Sequence, residues 1–170
     1  ARIAEIDLSS LGLTTSDLAQ ALPRLKGLWW LDVSKNELAA LPLRDLPPAL
    51  KDWGTMKLTQ NPVAEHAAFD GQALQDSDVT YNLFTWVGAA TRLSFRANQL
   101  TRVPEGVQEL SLLEWLDVSM NPMEGGEETI DAVAVLQYVY FVNASRCGWD
   151  SWPPSWVDLS TSVTQGHCSV

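Results

Sequence analysis

The sequence is poor in cysteine, histidine and positive charge. Two cysteines and two histidines occur in 170 residues. Neither His66 nor His167, read as lying in a loop and a tail, has a Cys or carboxylate partner at metal-ligand spacing. No metal site and no cofactor are therefore expected. Eleven Lys and Arg stand against twenty-one Asp and Glu, a net charge of −10. A surface of that sign repels phosphate backbones and anionic headgroups, which argues against nucleic acid as a partner. No apolar run approaches the ~18 residues of a membrane span, so no direct membrane insertion is expected of this segment. Gly125-Gly126 lacks the Lys-Ser/Thr that follows a phosphate loop, and no Gly-x-Ser-x-Gly turn occurs. The carboxylates spread along the whole chain as a solvated surface would, and the expectation is a protein that is not an enzyme. The chain opens on Ala1-Arg2-Ile3 rather than Met and is read as a processed product or a piece of something longer.

Apolar residues are not scarce: at 46% they suffice for a packed core. Their order is repetitive. The pattern is an apolar residue, two variable, apolar, one variable, apolar, two variable, Asn, one variable, apolar. Its cleanest copies are Leu28-Trp29-Trp30-Leu31-Asp32-Val33-Ser34-Lys35-Asn36-Glu37-Leu38 and Leu113-Glu114-Trp115-Leu116-Asp117-Val118-Ser119-Met120-Asn121-Pro122-Met123. Trp53, Met56, Leu58, Asn61 and Val63 follow the same order, as do Ala90, Leu93, Phe95, Asn98 and Leu100. Ile3, Ile6, Leu8 and Leu13 fit with Leu11 in the Asn slot; Val139, Val142, Ala144 and Trp149 fit with Cys147 there. Six copies thus begin at residues 3, 28, 53, 90, 113 and 139, spaced by 25, 25, 37, 23 and 26.

These residues make the chain similar to the leucine-rich repeat family, whose period is about 20–29 residues. The resemblance implies an α/β solenoid: a curved array with a concave parallel β-sheet and short helical, 3-10 or loop segments on the convex side. It covers residues 1–156, with 157–170 as a C-terminal cap or tail. Period-two alternation at Leu31-Asp32-Val33 agrees with a short half-buried strand. An Asn inside the following turn can satisfy backbone groups that the bend leaves unpaired, so Asn36, Asn61, Asn98 and Asn121 are read as a structural ladder. The wide spacing over residues 64–89 is either a convex helix with a loop or a degenerate repeat. Residues 124–137 suggest one or two helical turns, and Thr15-Ser16-Asp17 a cap before Leu18 and Leu22.

The variable positions between ladder residues face solvent on the strand side. The third position runs Glu5, Trp30, Thr55, Arg92, Trp115, Phe141. The second supplies Trp29 and Tyr140, the fifth Lys57, the seventh Arg96. Exposed aromatic clusters mark contact sites. The rings of Trp29, Trp30, Trp115, Tyr140 and Phe141, around a basic centre of Lys57, Arg92 and Arg96, are the expected partner-binding surface. A competing reading folds one Trp of a pair back over a flank. Trp53 and Trp149 occupy ladder slots and are expected in the core.

Two readings stand open for Cys147 and Cys168. One is a disulfide pinning the tail over the last repeat, as secreted members of the family use at their ends; it would contribute roughly 3 kcal/mol. The other is a buried thiol at Cys147 in the Asn slot. Asn143-Ala144-Ser145 is the single glycosylation triplet, so Asn143 is a candidate glycan acceptor in a secreted chain. The leading functional expectation is recognition of another protein or a glycan outside the cell or at its surface, as part of a receptor-like or wall-associated protein. The alternatives are a cytoplasmic scaffold subunit of a larger assembly, and an accessory structural subunit of a fibre or membrane complex.

Overall fold

The computed structural model describes residues 3–124 and 139–148. Seven strands of three residues each are present there: β1 (Glu5–Asp7), β2 (Trp30–Asp32), β3 (Thr55–Lys57), β4 (His66–Ala68), β5 (Arg92–Ser94), β6 (Trp115–Asp117) and β7 (Phe141–Asn143). All pairings are parallel, and each pairs equivalent positions of successive repeats, as in Glu5↔Trp30↔Thr55. Parallel neighbours require a crossover, and the intervening segments supply it. These are α1 (Thr15–Ala21), α2 (Pro48–Trp53), α3 (Pro62–Glu65), α4 (Tyr81–Trp86) and several 3-10 turns. The cap of α1 sits one residue earlier than the sequence suggests. Thr14 and Asp17 form a reciprocal capping box, Thr14 accepting from the Asp17 amide while Asp17 accepts from the Thr14 amide.

The strands form two sheets, β1-β2-β3 and β4-β5-β6-β7, rather than one. The starts of successive strands are spaced 25, 25, 11, 26, 23 and 26 residues apart. The 37-residue interval is therefore a short step of 11 followed by a full repeat of 26 that begins at Ala64. Its ladder is Ala64, Ala67, Phe69 and Leu74, with Gln72 in the Asn slot. Both readings of residues 64–89 meet here, because this degenerate repeat also carries the helix α4. His66 opens β4; it is not in a loop.

A backbone signature identifies all seven repeats. The residue just before each Asn slot is left-handed: Ser10, Lys35, Gln60, Gly71, Ala97, Met120 and Arg146, with φ between 56° and 65°. Six of these are not glycine, and that conformation costs an L-residue about 1–2 kcal/mol. It persists because the turn is closed around the next residue. Asn36 Oδ1 accepts from the Leu11 and Leu13 amides, and its Nδ2 donates to the Leu8 and Val33 carbonyls. Asn61, Asn98 and Asn121 do the same for the repeats before them. Gln72 has one more methylene and reaches elsewhere, to the Leu41 carbonyl and the Leu43 amide.

One apolar cluster runs through the described repeats, from Leu18 to Cys147. The fourth repeat docks by its crossover side on α2 and the residue that follows it. Asn82 Nδ2 donates to the Gly54 carbonyl at 2.7 Å, Trp86 Nε1 to the same oxygen at 3.3 Å, and the Thr80 hydroxyl to the Lys51 carbonyl. Lys51 Nζ lies 3.1 Å from Asp78 Oδ1. Burial pushes the Asp78 carboxyl up, but the Gln75 amide and the Lys51 ammonium outweigh it and hold the group below its ordinary value. The Gly54 carbonyl would otherwise point from the β3 side of the chain without a partner.

Candidate functional site

Strand geometry decides which side chains are offered to solvent. Ladder residues such as Leu31, Leu93, Leu116 and Val142 are fully buried, so their neighbours in each strand lie on the other face. There the third-position residues are exposed or half-buried, whereas Asp32, Ser94 and Asp117 are buried, contrary to the expectation that every variable position faces solvent. The register then aligns outward residues across the sheets. On the first sheet the rows are Glu5–Trp30–Thr55 and Asp7–Asp32–Lys57. On the second they are His66–Arg92–Trp115–Phe141 and Ala68–Ser94–Asp117–Asn143.

The first face is a closed set of contacts. Lys57 Nζ stands 5.0 Å from the centroid of the Trp30 ring and 3.4 Å from Asp32 Oδ2. Asp32 Oδ1 accepts from both the amide and the hydroxyl of Ser34. The Ser34 hydroxyl holds the Asp32 carboxyl below its ordinary value against the effect of burial, and Lys57 adds to this. Trp29 stacks on Trp53, with centroids 5.9 Å apart and planes at 23°.

Trp53 is 63% exposed, which corrects its assignment to the core. It is the last residue of α2, and the next residue, Gly54, is buried in direct contact with the Trp29 carbonyl and Leu50. No room is left beneath that junction for an indole, so the ring lies outside on Trp29.

The second face is different. Trp115 and Phe141 are half-buried and stack with centroids 5.4 Å apart and planes at 1°. Tyr140, 47% exposed, stands beside them. Arg92 precedes Trp115 in the same row, and Arg96 lies further along the Arg92 repeat; both are exposed. The basic centre expected from the sequence is thereby divided. Lys57 belongs to the first sheet, while Arg92 and Arg96 belong to the second, and the neighbour of Arg92 in register is His66 rather than Thr55. His66 and Trp53 join these faces although the repeat pattern alone does not put them there. The ladder Ala67-x-Phe69 with Gln in the Asn slot is the signal for His66.

The Asp-x-Ser triplets of the cleanest repeats are turn devices. Asp117 Oδ1 accepts from the Ser119 amide at 2.8 Å, as Asp7 does from Ser9. Asn143 repeats this with Ser145, and its Nδ2 donates to Asp117 Oδ2 at 2.9 Å. A glycan attached at Asn143 takes one of the two Nδ2 hydrogens and leaves one for that last bond. Cys147 Sγ is buried in the Asn slot, 3.1 Å from the Val118 carbonyl oxygen. That carbonyl stands where Asn121 finds Phe95 in the repeat before. Cys168, His167, Trp149, Trp152, Trp156, all but Glu124 of the helical turns expected over 124–137, and the tail 157–170 lie outside the described residues.

Among the described residues no cluster of His, Cys, Asp or Glu is placed to hold a metal. No described helix is long and apolar enough to cross a membrane. A cavity of about 130 Å³ lies on the crossover side between Phe84, Tyr81, Arg102 and Glu105, away from both faces.

No family model matches the chain, and no curated protein matches it. Among solved structures it is similar to an LRR protein of Leptospira interrogans, with 18% identity and a TM-score of 0.34. The match covers 83% of this chain and 36% of that one, so the chain spans little more than a third of that protein's length.

Proposed function

We propose that the chain is a short leucine-rich repeat solenoid that recognises another protein, without catalysis, through the outward strand positions. The observation that carries this reading is the parallel Trp115–Phe141 pair, set half-exposed on the second sheet in register with Arg92. Rings held rigid at the surface lose little entropy on binding, and Trp, Tyr and Arg dominate binding energy at protein interfaces. A stack made only for packing would be closed over by neighbouring side chains, as Phe69 and Phe95 are; both of those rings are fully buried. The leucine-rich repeat assignment is supported by the seven left-handed turns and the Asn side chains that close four of them.

The test is a paired substitution, Trp115→Ala with Phe141→Ala, read two ways in the protein's own source: urea unfolding, and co-purification of its partner. Loss of the partner with the unfolding transition kept supports the reading. Retention of the partner, or loss of the folded state, overturns it.

A further inference from the structure

We propose that the second sheet takes an acidic, aromatic-bearing segment of the partner, its carboxylates on Arg92 and Arg96 and a ring over Trp115 and Phe141. This rests on the recognition reading above and narrows it to one sheet and one chemistry.

The inference begins with which cations are already engaged. Lys51 is paired with Asp78, and Lys57 with Asp32 and the Trp30 ring. Arg92 and Arg96 are exposed, and among the described residues no carboxylate forms an ion pair with either. The carboxylate nearest Arg96 along the register, Asp70, turns its Oδ1 to the Arg96 amide and the Ser94 hydroxyl and forms no ion pair with the guanidinium. Asp117, in the row beyond Ser94, has Oδ1 on the Ser119 amide and Oδ2 on the Asn143 amide group. Among the described residues the two guanidinium groups therefore stand without an ion pair, on a chain whose net charge is −10.

Arg24, Lys26, Lys35, Arg44, Arg102 and Arg146 are exposed cations too, but Arg92 stands in register beside the Trp115–Phe141 stack, so charge and rings together set where and how an anionic, ring-bearing segment docks. Guanidinium groups also match carboxylates in a bidentate fork, which an ammonium does not. Spacing adds a second requirement. Arg92 opens β5 and Arg96 stands in the turn after it, at most about 13 Å further on, so two carboxylates of one extended segment can reach one guanidinium each. Trp115 is on the adjacent strand, about 4.8 Å from Arg92 in the pairing direction. The surface thus fits an extended segment in which acidic residues alternate with rings. Glu65 and Glu114 flank the face and oppose this, so a basic segment is the outcome that would contradict it.

The experiment uses the full chain and three fluorescein-labelled octapeptides that alternate Phe with Glu, with Gln or with Lys. Fluorescence anisotropy is expected to show the Glu peptide binding about tenfold or more tighter than the other two. Arg92→Glu with Arg96→Glu is expected to invert the order, so that the Lys peptide binds tighter, and Trp115→Ala to weaken the Glu peptide about tenfold. If the double variant does not fold, Arg92→Gln with Arg96→Gln is expected to erase the difference between the Glu and Gln peptides. The inference is overturned if the Gln or Lys peptide binds the native chain as tightly as the Glu peptide, if no peptide binds, or if the arginine substitutions leave the order unchanged. Any of these, with partner loss still caused by Trp115→Ala and Phe141→Ala, removes this chemistry and leaves the recognition reading standing; if that loss is absent too, both fall.

Discussion

Asn121 shows why one residue type recurs in the turns. Its Nδ2 donates to the Phe95, Val118 and Ser119 carbonyls while Oδ1 accepts from the Leu100 amide, all in a buried site. Asn121→Ala leaves the Leu100 amide without this partner, while each carbonyl keeps another donor: Phe95 from Asn98, Val118 from Cys147 and Ser119 from the Ala97 amide. A loss of about 1–3 kcal/mol in urea unfolding is expected. The residue before each Asn carries the opposite opportunity. Ala97 is left-handed at φ 56°, and Ala97→Gly relieves that cost against a smaller rise in unfolded-chain entropy. A gain of about 0.5–1 kcal/mol in the same measurement is expected. The Asn positions were legible in the sequence because an amide recurring at one fixed place in an apolar ladder must be bonding to the backbone of the turn. Gln72 was not, because a longer side chain in the same slot bonds to a different stretch of backbone. Trp53 misled because a ladder slot at the end of a helix is turned away from the core by the buried glycine that follows.

Between elements, strand order was legible from period-two alternation and spacing, and the break between β3 and β4 was not. The repeat starting at Ala64 has small residues at its first two ladder places, which weakens the apolar signal, and the step of 11 residues breaks the period on which repeat detection depends. The repeat pattern alone therefore gives Arg92 the wrong neighbour. The helix α4 of that repeat packs with Phe84 directly over Gly106, where a Cβ would overlap the ring. Phe84 is itself buried among core residues and has nowhere to retreat. Gly106→Ala is expected to cost about 1–3 kcal/mol of overpacking, seen as a lower thermal midpoint with both strand faces retained. No sequence feature announces that contact, because it joins residues 22 apart on the crossover side.

For the whole molecule, the two sheets share one apolar cluster and are tied by Lys51–Asp78 and by the two donors on the Gly54 carbonyl. One apolar cluster joins residues of both sheets, so stability is shared between them. Asp7, Asp17, Asp32 and Asp78 all lie below their ordinary value of 3.8 when folded. The unfolded chain therefore binds more protons as the pH drops past that value. The stability these groups contribute is complete above it and is lost as the pH falls through the lower folded values. Thermal midpoints are expected to drop below about pH 4. The central claim, that the outward strand positions are the interface, is tested most directly by a site-specific photo-crosslinker placed at Phe141 and, in a second preparation, at Glu105 on the crossover side. Adducts to a partner from position 141 and none from position 105 are the predicted result. Adducts from position 105 alone would contradict the account.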